Sequence, residues 1–142
     1  MEHTVKRICI DTAALPAQKA VFEKIYPIVK KRIEGRCGAV CQPGTEPGVF
    51  VLRFVLDESV PDEGFHLTDL EDGIQISGAG FLALMYGAGQ FLHKSRYTAQ
   101  GIVPTQWRGE SVPQTSKRMI FFAQHFYNWY QCCSAQEIRE HI

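Results

Sequence analysis

Gly64-Phe65-His66-Leu67-Thr68-Asp69, the turn Glu71-Asp72-Gly73, then Ile74-Gln75-Ile76-Ser77 and Gly78-Ala79-Gly80-Phe81-Leu82-Ala83-Leu84-Met85 form the stretch that decides the fold. Two short β-rich runs across a Glu-Asp-Gly turn predict a hairpin. From Gly80 the pattern changes. Phe81, Leu84, Met85, Ala88, Phe91 and Leu92 recur at helical spacing and predict a helix over residues 80–95 with those side chains on its inner face.

Upstream, residues 5–10 read as a strand with Val5, Ile8 and Ile10 as its apolar members, and Asp11-Thr12 opens a turn. Pro16 suits a first helical position, and Val21, Phe22, Ile25, Ile28, Val29 and Ile33 follow at helical spacing. Pro27 interrupts that pattern, which predicts a kink or an early stop near Tyr26. Lys19, Lys24, Lys30, Lys31 and Arg32 lie mostly off the stripe and read as a solvated face. Residues 35–48, with two prolines and four glycines, read as a loop, and residues 49–56 as a strand. Residues 102–107 offer one more short strand before a linker over 109–116. Strand and helix, three strands, then a helix predict an α+β fold: a two-layer mixed sheet with two helices packed together on one face.

The chain has 142 residues, 45% hydrophobic and 21% charged, with fifteen basic and fifteen acidic side chains and a formal net charge of zero. That suits one domain with a real core plus a little extra. The balanced charge argues against a nucleic-acid groove or an anionic membrane surface as partner. No run approaches the roughly 18 apolar residues of a spanning helix. Met1-Glu2-His3-Thr4 lacks the apolar core of a signal peptide, so cytoplasm and periplasm both stay open.

The five cysteines are Cys9, Cys37, Cys41, Cys132 and Cys133, an odd count that reads as free thiols. Cys37-x-x-x-Cys41 has no second ligand pair at zinc-like spacing, and no metal or cofactor is expected. Gly78-Ala79-Gly80-Phe81-Leu82-Ala83 matches a G-x-G-x-x-A dinucleotide pattern, but the expected later carboxylate is missing until Glu110. The glycines have a simpler use. Gly78 and Gly80 allow a tight turn, while Gly87 and Gly89 let the helix lie close to the sheet. The carboxylate pairs Asp57/Glu58, Asp62/Glu63 and Glu71/Asp72 all fall in turn-like sequence and read as solvated.

The C-terminal stretch is different in kind. Arg118-Met119-Ile120-Phe121-Phe122-Ala123 reads as an apolar strand, His125-Phe126-Tyr127-Asn128-Trp129-Tyr130 follows, and Ser134-Ala135-Gln136-Glu137 is a capping box that opens a last helix. That helix, of about nine residues and without a C-cap, is marginal alone. Residues 113–142 therefore read as a linker and the first β/α unit of a truncated second domain, after a first domain over 1–112. Arg118, His125 and Asn128 are the candidate substrate-binding residues. A forked guanidinium and aromatic neighbours just beyond a strand suit sugar hydroxyls and C–H faces at the mouth of a (β/α)8 barrel.

In order, Gly64-Phe65-His66-Leu67, Gly73-Ile74-Gln75-Ile76-Ser77-Gly78-Ala79, Ala83-Leu84-Met85-Tyr86-Gly87-Ala88-Gly89-Gln90-Phe91-Leu92, Pro104, Trp107 and Lys117-Arg118-Met119-Ile120 resemble the small domain that precedes the catalytic barrel in family 20 β-N-acetylhexosaminidases and family 67 α-glucuronidases. The resemblance implies a domain that packs on its own catalytic barrel without carrying a catalytic residue. It also implies that Arg118 holds sugar hydroxyls of the carbohydrate substrate, and that the catalytic acids lie on later barrel strands. Met119 stands where hexosaminidases have glycine. Two expectations follow: an inactive accessory fragment of a glycoside hydrolase, prone to self-association when isolated, or a free-standing protein- or carbohydrate-binding module that uses its aromatic segment.

Overall fold

The computed structural model describes residues 3–61, 63–119 and 133–141. The chain runs β1 (Arg7–Asp11), a 3-10 turn (Ala20–Lys24), α1 (Ile25–Glu34), β2 (Val40–Pro43), β3 (Phe50–Leu56), β4 (Phe65–Leu70), β5 (Gly73–Gly78), α2 (Phe81–Lys94), β6 (Arg96–Thr98), β7 (Gly101–Val103), β8 (Gly109–Ser111) and α3 (Ala135–His141). Six strands form one sheet in the order β2-β1-β3-β5-β4-β8, and β6 and β7 form a separate hairpin. β1 pairs in parallel with β2 and β3, β3 in parallel with β5, and β4 antiparallel with β5 and β8. The expected mixed α/β architecture is present.

Register decides which face is dry. Ile8 pairs with Cys41 and Phe50, Ile10 with Leu52, Leu52 with Ile74, and Phe54 and Leu67 with Ile76. Because side chains alternate along a strand, one row of apolar residues faces one layer. Phe22, Ile25, Val29 and Ile33 from the α1 side, and Leu84, Ala88 and Phe91 from α2, close over it in a single buried cluster. α1 packs on β2 and on α2, while α2 lies over β3, β4 and β5. The opposite face pairs Cys9 with Gln42 and Val51, Asp11 with Arg53, Gln75 with Arg53 and Thr68, and Ser77 with His66. It is mostly polar.

Four local readings are corrected. α1 begins at Ile25 rather than near Pro16, so Pro27 sits in its first turn, where a missing N–H breaks no intrahelical bond. The segment 35–48 holds β2, an edge strand ending at Pro43, where a lost donor costs little. The expected linker holds β8, which extends the sheet beside β4. Of the four glycines, Gly87 meets the sheet, since a Cβ there would overlap Ile76, and Gly78 abuts Ala83; Gly80 and Gly89 face open space.

The α1–β2 corner is closed by a polar clip. Glu34 accepts from Lys30 Nζ at 2.7 Å and from the Cys41 N–H at 2.9 Å, and Lys30 also donates to the Cys41 carbonyl at 3.0 Å. Lys30 first, and then the Cys41 amide, hold the Glu34 carboxyl below its ordinary value. A folded pKa below the unfolded one, about 4.3, stabilises above that value and loses the effect as pH falls through the folded pKa. The urea midpoint of the native chain should therefore drop more steeply on acidification below about pH 4 than that of Glu34→Gln. Equal slopes would show that the clip contributes nothing.

Candidate functional site

Arg118 ends a strap, residues 112–118, that leaves β8 and reaches the outer side of α2. Its Nη1 donates to the Thr115 carbonyl at 2.7 Å, and its Nη2 donates to the Glu63 carboxylate. The guanidinium lies 5.8 Å from the centre of the Tyr86 ring. Hydrogen bonding to Tyr86, and after it to Glu63, raises the Arg118 pKa above its ordinary value. Beneath the strap is a hollow of about 250 Å³ lined by Glu63, Phe65, Tyr86, Ser111, Pro113 and Arg118. Phe65 forms its floor and is backed by Trp107, with ring centres 6.1 Å apart.

Residues 117–119, the described start of the predicted strand, carry no strand pairing. Arg118 thus sits on a strap, engaged by the side chains of Glu63 and Tyr86. His125 and Asn128, with the aromatic run around them, lie outside the described residues. The capping box is present: Ser134 N donates to Glu137 Oε2 at 2.7 Å, and Glu137 N to Ser134 Oγ at 3.2 Å.

A larger open cleft of about 780 Å³ lies across the amino ends of β1, β3 and β5, bordered by Lys6, Arg7, Asp69, Glu71, Asp72 and Arg108. Its arginines are already engaged. Arg7 pairs with Glu46 at 2.6 Å; Arg108 pairs with Asp69 at 2.7 Å and donates to the carbonyls of Thr105 and Trp107. On the polar sheet face Asp11, 7% exposed, receives Arg53 Nε at 2.8 Å and the Ala13 N–H at 3.1 Å. The Asp11 turn is visible in the sequence but its partner is not, because Arg53 approaches only through the β1–β3 register.

Of the turn carboxylates, Glu63 pairs with Arg118 rather than standing free in solvent, and Asp57 is engaged within its own turn. Asp57 caps Ser59 through both the amide and the hydroxyl, and these bonds hold its pKa down. Glu71 and Asp72 form the β4–β5 turn, where the Asp72 carbonyl accepts from Val51 N at 2.9 Å. Asp62 lies outside the described residues. Among the described residues, no group of three or more His, Cys, Asp or Glu side chains could hold a metal ion, and no helix is long and apolar enough to cross a membrane. Cys9, Cys37, Cys41 and Cys133 are free thiols, and burial pushes the Cys41 thiol up to about 12.

No family model and no curated protein matches the chain. Solved structures do match. A family 20 β-N-acetylhexosaminidase from Streptomyces coelicolor superposes with a TM-score of 0.50 at 14% identity, over 74% of this chain and 21% of that enzyme. A β-N-acetylhexosaminidase from Bacteroides fragilis gives 0.45 at 13% identity, over 76% and 20%. A family 138 enzyme targeting pectin rhamnogalacturonan II gives 0.43 at 11%, over 61% and 10%. The chain spans about a fifth of the length of the two hexosaminidases and a tenth of the third. It has a glycoside-hydrolase-like fold.

Proposed function

We propose that residues 1–112 form the non-catalytic accessory domain of a carbohydrate-active glycoside hydrolase of hexosaminidase or α-glucuronidase type. The domain acts structurally, by packing on a (β/α)8 barrel that carries the catalytic acids. Residues 113–142 are the linker and the first β/α unit of that barrel, where Arg118, His125 and Asn128 contact the sugar. The observation that carries this reading is the fold likeness to the Streptomyces hexosaminidase, which takes in most of this chain but 21% of the enzyme.

Titration of the isotope-labelled 142-residue chain with N-acetylglucosamine and with glucuronate tests the reading. The amides of residues 3–111 should not shift. Saturable shifts clustered at Lys6, Arg7, Asp69 and Glu71 would make the open cleft a sugar site and overturn the structural role.

A further inference from the structure

β2 is the outer strand of the sheet, and its free rim is already taken. In a parallel ladder alternate residues of an edge strand turn their peptide groups to the neighbour, and the residues between them turn theirs outward. Val40 N donates to the Lys6 carbonyl at 2.9 Å and Gly44 N to the Ile10 carbonyl at 3.0 Å, so residues 40, 42 and 44 face β1. The N–H and carbonyl of Cys41 therefore point away from the sheet. Both are capped from α1, the N–H by Glu34 Oε1 at 2.9 Å and the carbonyl by Lys30 Nζ at 3.0 Å. Pro43, the next residue to face outward, has no N–H to offer.

Helix stability does not account for these two side chains. Glu34 is the last residue of α1, where the helix dipole disfavours a negative charge, and a lysine four positions before a glutamate is the weaker order of such a pair. Their use lies at the strand. An uncapped Cys41 would be self-complementary: about a two-fold axis, two copies of β2 would run antiparallel, and the two Cys41 residues would exchange both N–H···O bonds. Val40, 59% exposed, would add apolar surface beside that pair. We propose that Lys30 and Glu34 lock the β2 edge against a second copy of this chain, and that β2 is the surface through which two copies join once the lock is removed. An unguarded edge strand is a template for pairing, and here two side chains hold that template shut.

Lys30→Ala combined with Glu34→Ala tests the proposal in the 142-residue chain, since alanine keeps the helix propensity and the pair of changes keeps the net charge. Glu23→Ala combined with Lys31→Ala, at two exposed positions of the same segment, is the control. The readouts are the sedimentation mass and the hydrogen exchange of the Cys41 amide, each at low and high protein concentration. In the native chain and in the control, the Cys41 amide should be equally protected at every concentration. In the double variant it should exchange about tenfold faster when dilute, the factor of a lost charge-assisted hydrogen bond, and regain protection as a dimer forms. Should the double variant not fold, Glu34→Ala alone frees the same amide and is read in the same way. A Cys41 amide no faster in the dilute variant, a variant that stays monomeric at high concentration, or a dimer in which the amide remains fast each overturns the proposal. So does a native Cys41 amide whose protection already rises with concentration.

Discussion

Gly73→Val should cost the domain about 3 kcal/mol or more, because it forces a side chain into the most crowded backbone contact of the sheet. Gly73 opens β5 opposite Val51 of β3. A Cβ there would overlap the Val51 carbonyl oxygen and lie 2.7 Å from the Val51 carbonyl carbon and nitrogen. None of these atoms is the end of a flexible side chain. Strand spacing near 4.8 Å is set by the ladder, so relief requires β3 and β5 to separate at the centre of the sheet. Gly80→Ala is the matched control, since Gly80 has an extended backbone and open space at its Cβ. It should stay within about 0.5 kcal/mol of the native chain. Urea denaturation of the two variants checks the contrast, and similar midpoints would show that the β3–β5 contact is looser than described.

Phe91→Ala should be comparably severe, with a loss of about 3–5 kcal/mol. Phe91 is fully buried on the sheet side of α2, and its ring stacks on Phe50 with centres 6.5 Å apart. The site is pinned on both sides. The Phe91 carbonyl accepts from Ser95 N at 3.1 Å and Ser95 Oγ at 2.7 Å, and Ser95 Oγ in turn accepts from Thr105 N at 3.1 Å. Collapse of α2 into the vacated space would break that chain of bonds, so a cavity remains, and the cost lies above the transfer of the ring alone. A domain of this size has about 5–15 kcal/mol in total, so either variant removes a large share of it. Leu82→Ala on the same helix should change the 142-residue chain little, because Leu82 points outward. If Phe91→Ala lost no more than Leu82→Ala, α2 would not be packed on the sheet as described.

The parts of the fold that could be read in advance are those whose signals are local. The β4–β5 hairpin and α2 are contiguous in the chain, so turn chemistry and a 3.6-residue apolar period identify them without tertiary information. The Ser134–Glu137 capping box is local too, and its two reciprocal bonds form as the pattern requires. β2 and β8 were not legible because each is short and exists only through pairing, β2 with the first strand and β8 with β4. Between residues 35 and 48 the glycines and Pro43 outweighed a four-residue strand. Pro27 misled for the opposite reason: its effect depends on where the helix begins, which the 3-10 turn before Ile25 decides.

At the candidate site, the beginning of an apolar run marked out Arg118, but nothing near it in sequence announced its partners. Glu63 lies 55 positions earlier and Tyr86 on a different element. Gly89 shows the limit most clearly. By pattern it matches Gly87, and only the packing separates a glycine used by the sheet from one that faces outward.

In the proposed function this domain supports a sugar-cleaving barrel and performs no cleavage itself. The most direct measurement is the release of aryl alcohol from aryl β-N-acetylglucosaminides and aryl glucuronides by the purified 142-residue chain, run beside the full-length polypeptide. The full-length protein should turn over at least one of these substrates and the 142-residue chain none. Turnover by the 142-residue chain that disappears on Glu63→Gln, Glu71→Gln or Asp72→Asn would contradict it and place the chemistry in this domain.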